Sequence, residues 1–174
     1  IEVKPLSGGM QETTLNSSIT ELFPCVAFET NYTPLGVEEF MTHLMSTDLS
    51  KMTCVNPKDL QAAKETVNKA ESSSKYQEKM KNAIGVTKYL KDASTAKPVK
   101  NVFWGYRAKP TGVPRTHPGD MFIKYNDGKF LGVSLKAGGK KTKEPQLNTY
   151  VRPVFDFFKA KRDLDTLRST AYSQ

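Results

Sequence analysis

Asp120 and Lys136 sit near the two ends of a short hairpin, and this is where the chain has its clearest capacity for chemistry. The stretch 120–136 reads DMFIKY, then Asn126-Asp127-Gly128, then KFLGVSLK. A three-residue Asn-Asp-Gly loop fits a type I turn followed by a glycine in the left-handed region, the G1-bulge hairpin. Tyr125 then opposes Lys129, and Asp120 opposes Ser134. Opposed residues share a face and every second residue joins them. Met121, Ile123, Tyr125, Leu131, Val133 and Leu135 therefore make a core face. Asp120, Phe122, Lys124, Phe130, Gly132, Ser134 and Lys136 make the other. A two-residue Asp-Gly turn would move Asp120 across the sheet, and the clean apolar set favours the longer loop. A carboxylate and an ammonium thus converge at the open end. Carboxylate oxygens suit a hard divalent cation, which can polarise a phosphoryl oxygen and generate hydroxide, and a lysine beside it can stabilise developing charge. A plainer reading is an Asp that caps a strand near an outward-facing Lys.

The elements that must position this pair follow from periodicity and turn signals. Leu15, Ile19, Leu22 and Phe23 lie at helical spacing, predicting a first helix over 10–23 that Pro24 stops. Residues 25–28, CVAF, fit either a short strand or the helix exit. A second helix is expected from Thr33 to about Leu49. Asn56-Pro57 reads as an N-cap followed by a proline in the first helical position. That third segment, 57–92, breaks near Ser72-Ser73-Ser74 or Gly85. Residues 101–106, NVFWGY, read as a strand, and the Pro- and Gly-rich stretch 109–119 as a loop. A last helix is expected from about Gln146 to Arg168, with Pro153 in its first turns. The expected order is helix, helical insertion at about 33–96, three strands, helix, in a single domain spanning 1–174 that could be part of a longer chain.

Charge narrows the class of partner. The net charge is +8 over 174 residues. Residues 1–96 carry 10 Lys/Arg against 12 Asp/Glu, whereas residues 97–144 carry 11 against 3. A positive field confined to one stretch is what a polyanion such as nucleic acid rewards, through counterion release. No run of the chain reaches the roughly 20 apolar residues of a membrane-spanning helix, so no membrane partner is expected. Two lone cysteines, Cys25 and Cys54, are too few for a disulfide framework and fit buried thiols of an intracellular, non-secreted protein.

With Pro118-Gly119-Asp120, the hairpin and Ser134-Leu135-Lys136 in view, the chain resembles the PD-(D/E)XK nuclease superfamily. Gln146 and Tyr150 match the QxxxY motif that follows the catalytic lysine in RecB-type members. Gly8-Gly9-Met10-Gln11-Glu12 resembles the GxxxE opening of archaeal Holliday-junction resolvases. The resemblance spans the first helix and residues 101–158. It implies an α/β (α+β) fold with an αβββαβ, restriction-endonuclease-type core and a small mixed sheet. It also implies a Mg²⁺- or Mn²⁺-dependent nuclease acting on DNA more than RNA. Asp120 and Glu12 would hold metal, Lys136 would position water, and Gln146 and Tyr150 would orient the site. Ser134 stands where the superfamily has an acid. Some restriction enzymes with an SxK motif recruit that acid from the following helix, which makes Glu144 the alternative ligand to Glu12. Glu21 ranks last, since nine residues from Glu12 is two and a half turns, on the opposite helix face.

Around this site, Lys140, Lys141 and Lys143 with Gly138 and Gly139 form a flexible basic loop suited to phosphate contact. Arg115 and His117, before the Pro-Gly-Asp turn, are further candidates for nucleic-acid contact. Phe103, Trp104 and Tyr106 beside Arg107 and Lys109 fit either base stacking or an ordinary core strand. His43 reads as a surface residue of the helical insertion. Two rival functions stay open: a catalytically degenerate nucleic-acid-binding domain of the same fold, and a scaffold domain whose helices contact other proteins. The oligomeric state is left open.

Overall fold

Leu15, Ile19, Leu22, Phe23 and Val26 all fall on one stripe and all bury, and they continue straight past Pro24. In the computed structural model, which describes residues 10–114 and 119–135 and the backbone of Arg152 and Pro153, helix α1 spans Glu12–Glu29 with Pro24 inside it. The expected stop at Pro24 is therefore corrected, and residues 25–28 are helical. A mid-helix proline costs about 3 kcal/mol. Phe23, Cys25, Val26 and Ala27 are all fully buried around it, and a large apolar side chain gains about 1.5–3 kcal/mol on burial. Burial outweighs the break.

The expected second helix is shorter than its apolar stripe suggested: α2 spans Val37–Ser46. Leu49 sits instead in a single 3₁₀ turn capped by Asp48, whose carboxylate accepts the Ser50 N–H. Asn56 caps the next turn as expected, accepting the Lys58 N–H ahead of α3, Leu60–Lys69. The break falls at the serines. Ser73 Oγ accepts the Lys75 N–H and donates to Asn16, while Ser74 Oγ donates to Glu12. Helix α4, Tyr76–Ala96, then runs unbroken through Gly85. A helical glycine costs about 1 kcal/mol, which burial of Met80, Ala83, Val86 and Leu90 on its inner face covers. Among the described residues, helix α4 packs along α1 more extensively than any other pair of elements.

Strands β1, Val99–Trp104, β2, Met121–Tyr125, and β3, Phe130–Val133, form an antiparallel meander. The hairpin register is the expected one: Met121 opposes Val133 and Lys124 opposes Phe130. Tyr125 N–H bonds Lys129 O, and Gly128 takes φ +85°. A two-residue strand β4, Arg152–Pro153, pairs antiparallel with Leu131 and Gly132. This corrects two expectations. A continuous helix from Gln146 to Arg168 cannot contain an extended pair, and every pairing among the described residues is antiparallel rather than mixed. Pro153, which lacks an N–H, is tolerated on an edge strand.

One face of the sheet, with Val102, Trp104, Met121, Ile123, Leu131 and Val133, shares a single core with α1 and with residues of α2, α3 and α4 such as Phe40, Ala63 and Met80. The helices of 33–96 are thus part of the main core. The opposite face carries a smaller cluster of Phe122, Phe130 and Val113, with Phe103 packed on it. The molecule is α+β, and no helix of the described residues is long and apolar enough to cross a membrane.

Candidate functional site

The ends of three strands meet at Asp120, which is held by its backbone on both sides. Its N–H donates to Val133 O at 2.8 Å, and its carbonyl accepts the Gly105 N–H at 3.0 Å. Its carboxylate Oδ2 accepts the Leu135 N–H at 2.9 Å. Ser134, buried, lies on β3's exit beside it. Gly105 is required by proximity: a Cβ there would stand 2.6 Å from the Phe122 ring and 3.3 Å from Gly119 O. Lys109 crosses the same corner, donating from Nζ to the carbonyls of Gly105 at 2.9 Å and Gly119 at 3.2 Å. Its charge is 5.5 Å from the Phe122 ring centre.

The acid that faces Asp120 comes from α1, and it is Glu21. Glu21 is half-buried, and desolvation with the nearby Asp120 carboxylate pushes it up to about 8, while Trp104 and Lys109 pull it back. Trp104 Nε1–H is buried and meets no acceptor in full hydrogen-bond geometry, yet it lies near enough to favour the ionised Glu21. Two carboxylates, one lysine and one indole N–H therefore gather where β1 and β3 end and β2 begins.

Upstream packing fixes this corner. Glu29, the last residue of α1, accepts the N–H groups of Thr53 and Cys54, both at 2.8 Å. Cys54 O in turn accepts the Trp104 N–H at 2.8 Å. One helix thus carries both the acid of the site and the clamp that holds β1 against it. Cys25 and Cys54 are both buried free thiols, raised by burial.

Glu12 is elsewhere. It is exposed at the start of α1, accepting from Ser74 Oγ at the α3–α4 junction, and nine residues of helix separate it from Glu21 by about 13 Å. The half-turn offset that ranked Glu21 last holds, but it is Glu21's face that meets the sheet. Lys136, Arg115, His117, Lys140, Lys141, Lys143, Glu144, Gln146 and Tyr150 lie outside the described residues. Trp104 is a core residue at 1% exposure and offers no face for stacking, with Tyr106 packed on it at 4.7 Å. His43 is no plain surface residue: its ring stacks on Tyr32 at 3.9 Å and meets Thr30 Oγ1 at 3.0 Å. Glu21, Trp104, Gly105 and Lys109 were the residues the motifs did not single out together. The usable signal was the Trp-Gly step ending a strand thirteen residues before a Pro-Gly-Asp turn.

Among the described residues no group of three or more His, Cys, Asp or Glu gathers as a metal cluster. Two carboxylates nonetheless fit Mg²⁺, which is commonly held by one or two of them plus waters and substrate phosphates. Comparison of the chain with protein-family models, with curated proteins and with solved structures finds no match.

Proposed function

We propose that this chain is a metal-dependent nuclease that hydrolyses phosphodiester bonds in DNA, with RNA as the alternative substrate. We propose further that α1 and β1–β3 are the αβββ part of a restriction-endonuclease-type core. The observation that carries the reading is the Glu21–Asp120 pair. Burial first, and the neighbouring Asp120 carboxylate second, hold Glu21 well above the usual carboxylate range. A divalent cation is the ligand that would turn the repulsion between the two acids into attraction.

A bound Mg²⁺ or Mn²⁺ would supply Lewis-acid polarisation and a hydroxide nucleophile. Asp120 and Glu21 would hold it, with Asp120 oriented by the Leu135 N–H. Lys109 keeps positive charge beside Glu21 and favours the doubly ionised state that metal binding needs. Lys136, directly after Leu135, would position the attacking water, as the resemblance implies.

A second reading has its own support. The Asp120–Leu135 hydrogen bond is what a purely structural strand cap would make, which suits a degenerate nucleic-acid binder. Asp120→Asn separates the two, because the amide oxygen keeps that bond while losing the charge. Labelled single- and double-stranded DNA and RNA are incubated with Mn²⁺ or with chelator. We expect cleavage by the wild type with Mn²⁺ only, and none by Asp120→Asn at unchanged thermal stability. Full activity in the variant would refute the assignment.

A further inference from the structure

Two adjacent hollows flank residues 108–111 and together make a groove, and their linings differ in kind. The first, about 410 Å³, lies between β1, β3 and residues 49–60. Its walls include Phe103, Phe130, Met52, Leu60 and Pro110. The second, about 470 Å³, is lined by Lys58, Arg107 and Lys109 together with Asp59. Asn56, Ala108 and Thr111 line both, so the chambers lie side by side. Each falls within the roughly 300–1,000 Å³ of clefts that hold small-molecule groups.

The aromatic chamber is built around Phe103, half-buried, which meets Phe130 at 6.1 Å in a tilted arrangement. Lys124 sits 5.4 Å over the Phe130 ring at its rim. The basic chamber sets three cations against one carboxylate. Asp59 is 1% exposed and spends Oδ2 on the N–H groups of Arg107 and Ala108, leaving Oδ1 buried with no partner.

We infer that this groove binds one unpaired nucleotide of a nucleic-acid strand, its base against Phe103 in the aromatic chamber and its phosphate at Lys58 and Arg107. An apolar slot and a cationic slot side by side match the two halves of a nucleotide. A duplex keeps its bases stacked inside and offers nothing to the first slot. Lys109 lines the basic chamber and also acts on Glu21, so the groove adjoins the carboxylate pair. The inference deepens the nuclease reading by naming single strands as the substrate class, and its test requires no cleavage.

Fluorescence anisotropy in chelator measures binding of the full chain to a labelled 15-mer of thymidylate, to a duplex of equal length and to thymidine monophosphate. The single strand is expected to bind best. Phe103→Leu, which keeps apolar bulk but removes the stacking ring, is expected to weaken it about tenfold. Arg107→Ala is expected to weaken it and to lower the salt slope by about one. Lys64→Ala, on the exposed face of α3, should leave binding unchanged. Equal affinity for strand and duplex, tighter binding of the free nucleotide, or no effect of Phe103→Leu would overturn the inference. A bromouracil strand photo-crosslinked to the wild-type protein gives a check that needs no variant. Adducts are expected in 99–104 or 130–133, and adducts confined to the helices would overturn it. Binding without cleavage would sink the nuclease reading and leave the groove standing. Cleavage with unaltered binding by Phe103→Leu would do the reverse.

Discussion

Replacing Glu21 by glutamine should change how stability depends on pH, by an amount that follows from the site. The carboxyl is ordinarily near 4.5 and stands at about 8 in the fold. Between these values the unfolded chain has lost the proton and the native protein keeps it. The native state thus binds more protons, and stability falls as pH rises through this window. Each unit of displacement corresponds to about 1.4 kcal/mol, so the full span costs the wild type about 5 kcal/mol, complete only above pH 8. A neutral amide of nearly the same shape carries no such penalty. Urea unfolding followed by the fluorescence of Trp104 at pH 4.5, 6, 7 and 8.5 measures it. We expect Glu21→Gln to gain on the wild type steadily with pH, by about 4 kcal/mol between pH 4.5 and 8.5. Manganese adds a second arm. Binding needs both acids ionised, so wild-type affinity should rise up to tenfold per pH unit below pH 8 and level off above it. The added stability from Mn²⁺ should be absent in the variant. A stability difference between the two proteins that is constant across pH would refute the account of Glu21. A pH-independent metal affinity would refute the shared site.

Two further substitutions probe what holds the corner together. Gly105→Ala places a methyl against the fully buried Phe122 ring, and overpacking of this kind costs about 1–3 kcal/mol. Its thermal midpoint should fall by several degrees, and a midpoint equal to that of the wild type would show that the ring is free to move. Glu29→Ala removes the acceptor of two backbone N–H groups. Charged hydrogen bonds contribute about 1.5–3 kcal/mol each. Faster amide exchange at Thr53, Cys54 and Trp104 is expected by NMR, and unchanged protection at Trp104 would show that the clamp does not reach β1.

The hairpin was legible without coordinates because its information is local. Asn126-Asp127-Gly128 admits few turns, and the alternation on either side of it leaves one register that buries Met121, Ile123, Leu131 and Val133 together. The cap at Asn56 and the serine break before α4 are local in the same sense. Local signals misled where burial competed with them. Pro24 and Gly85 both argue for a helix end, yet each sits in a helix whose inner face is sealed against the core. Pro153 was read as a helical kink because its pairing partner, Leu131, is 22 residues away in the chain.

Sequence alone therefore determined that a carboxylate stands at the open end of a hairpin, on a chain whose positive charge is concentrated around it. It could not say which acid answers that carboxylate. Glu12 and Glu21 lie on the same helix on opposite faces, and motif spacing favoured Glu12, which the fold turns toward Ser74. The choice was made by the rotation of α1 as it buries Ile19, Leu22, Phe23 and Val26 against the sheet and α4, a rotation that no window of residues encodes by itself. Packing sets which side of a helix meets a strand end, and so it also sets which charges are forced to meet.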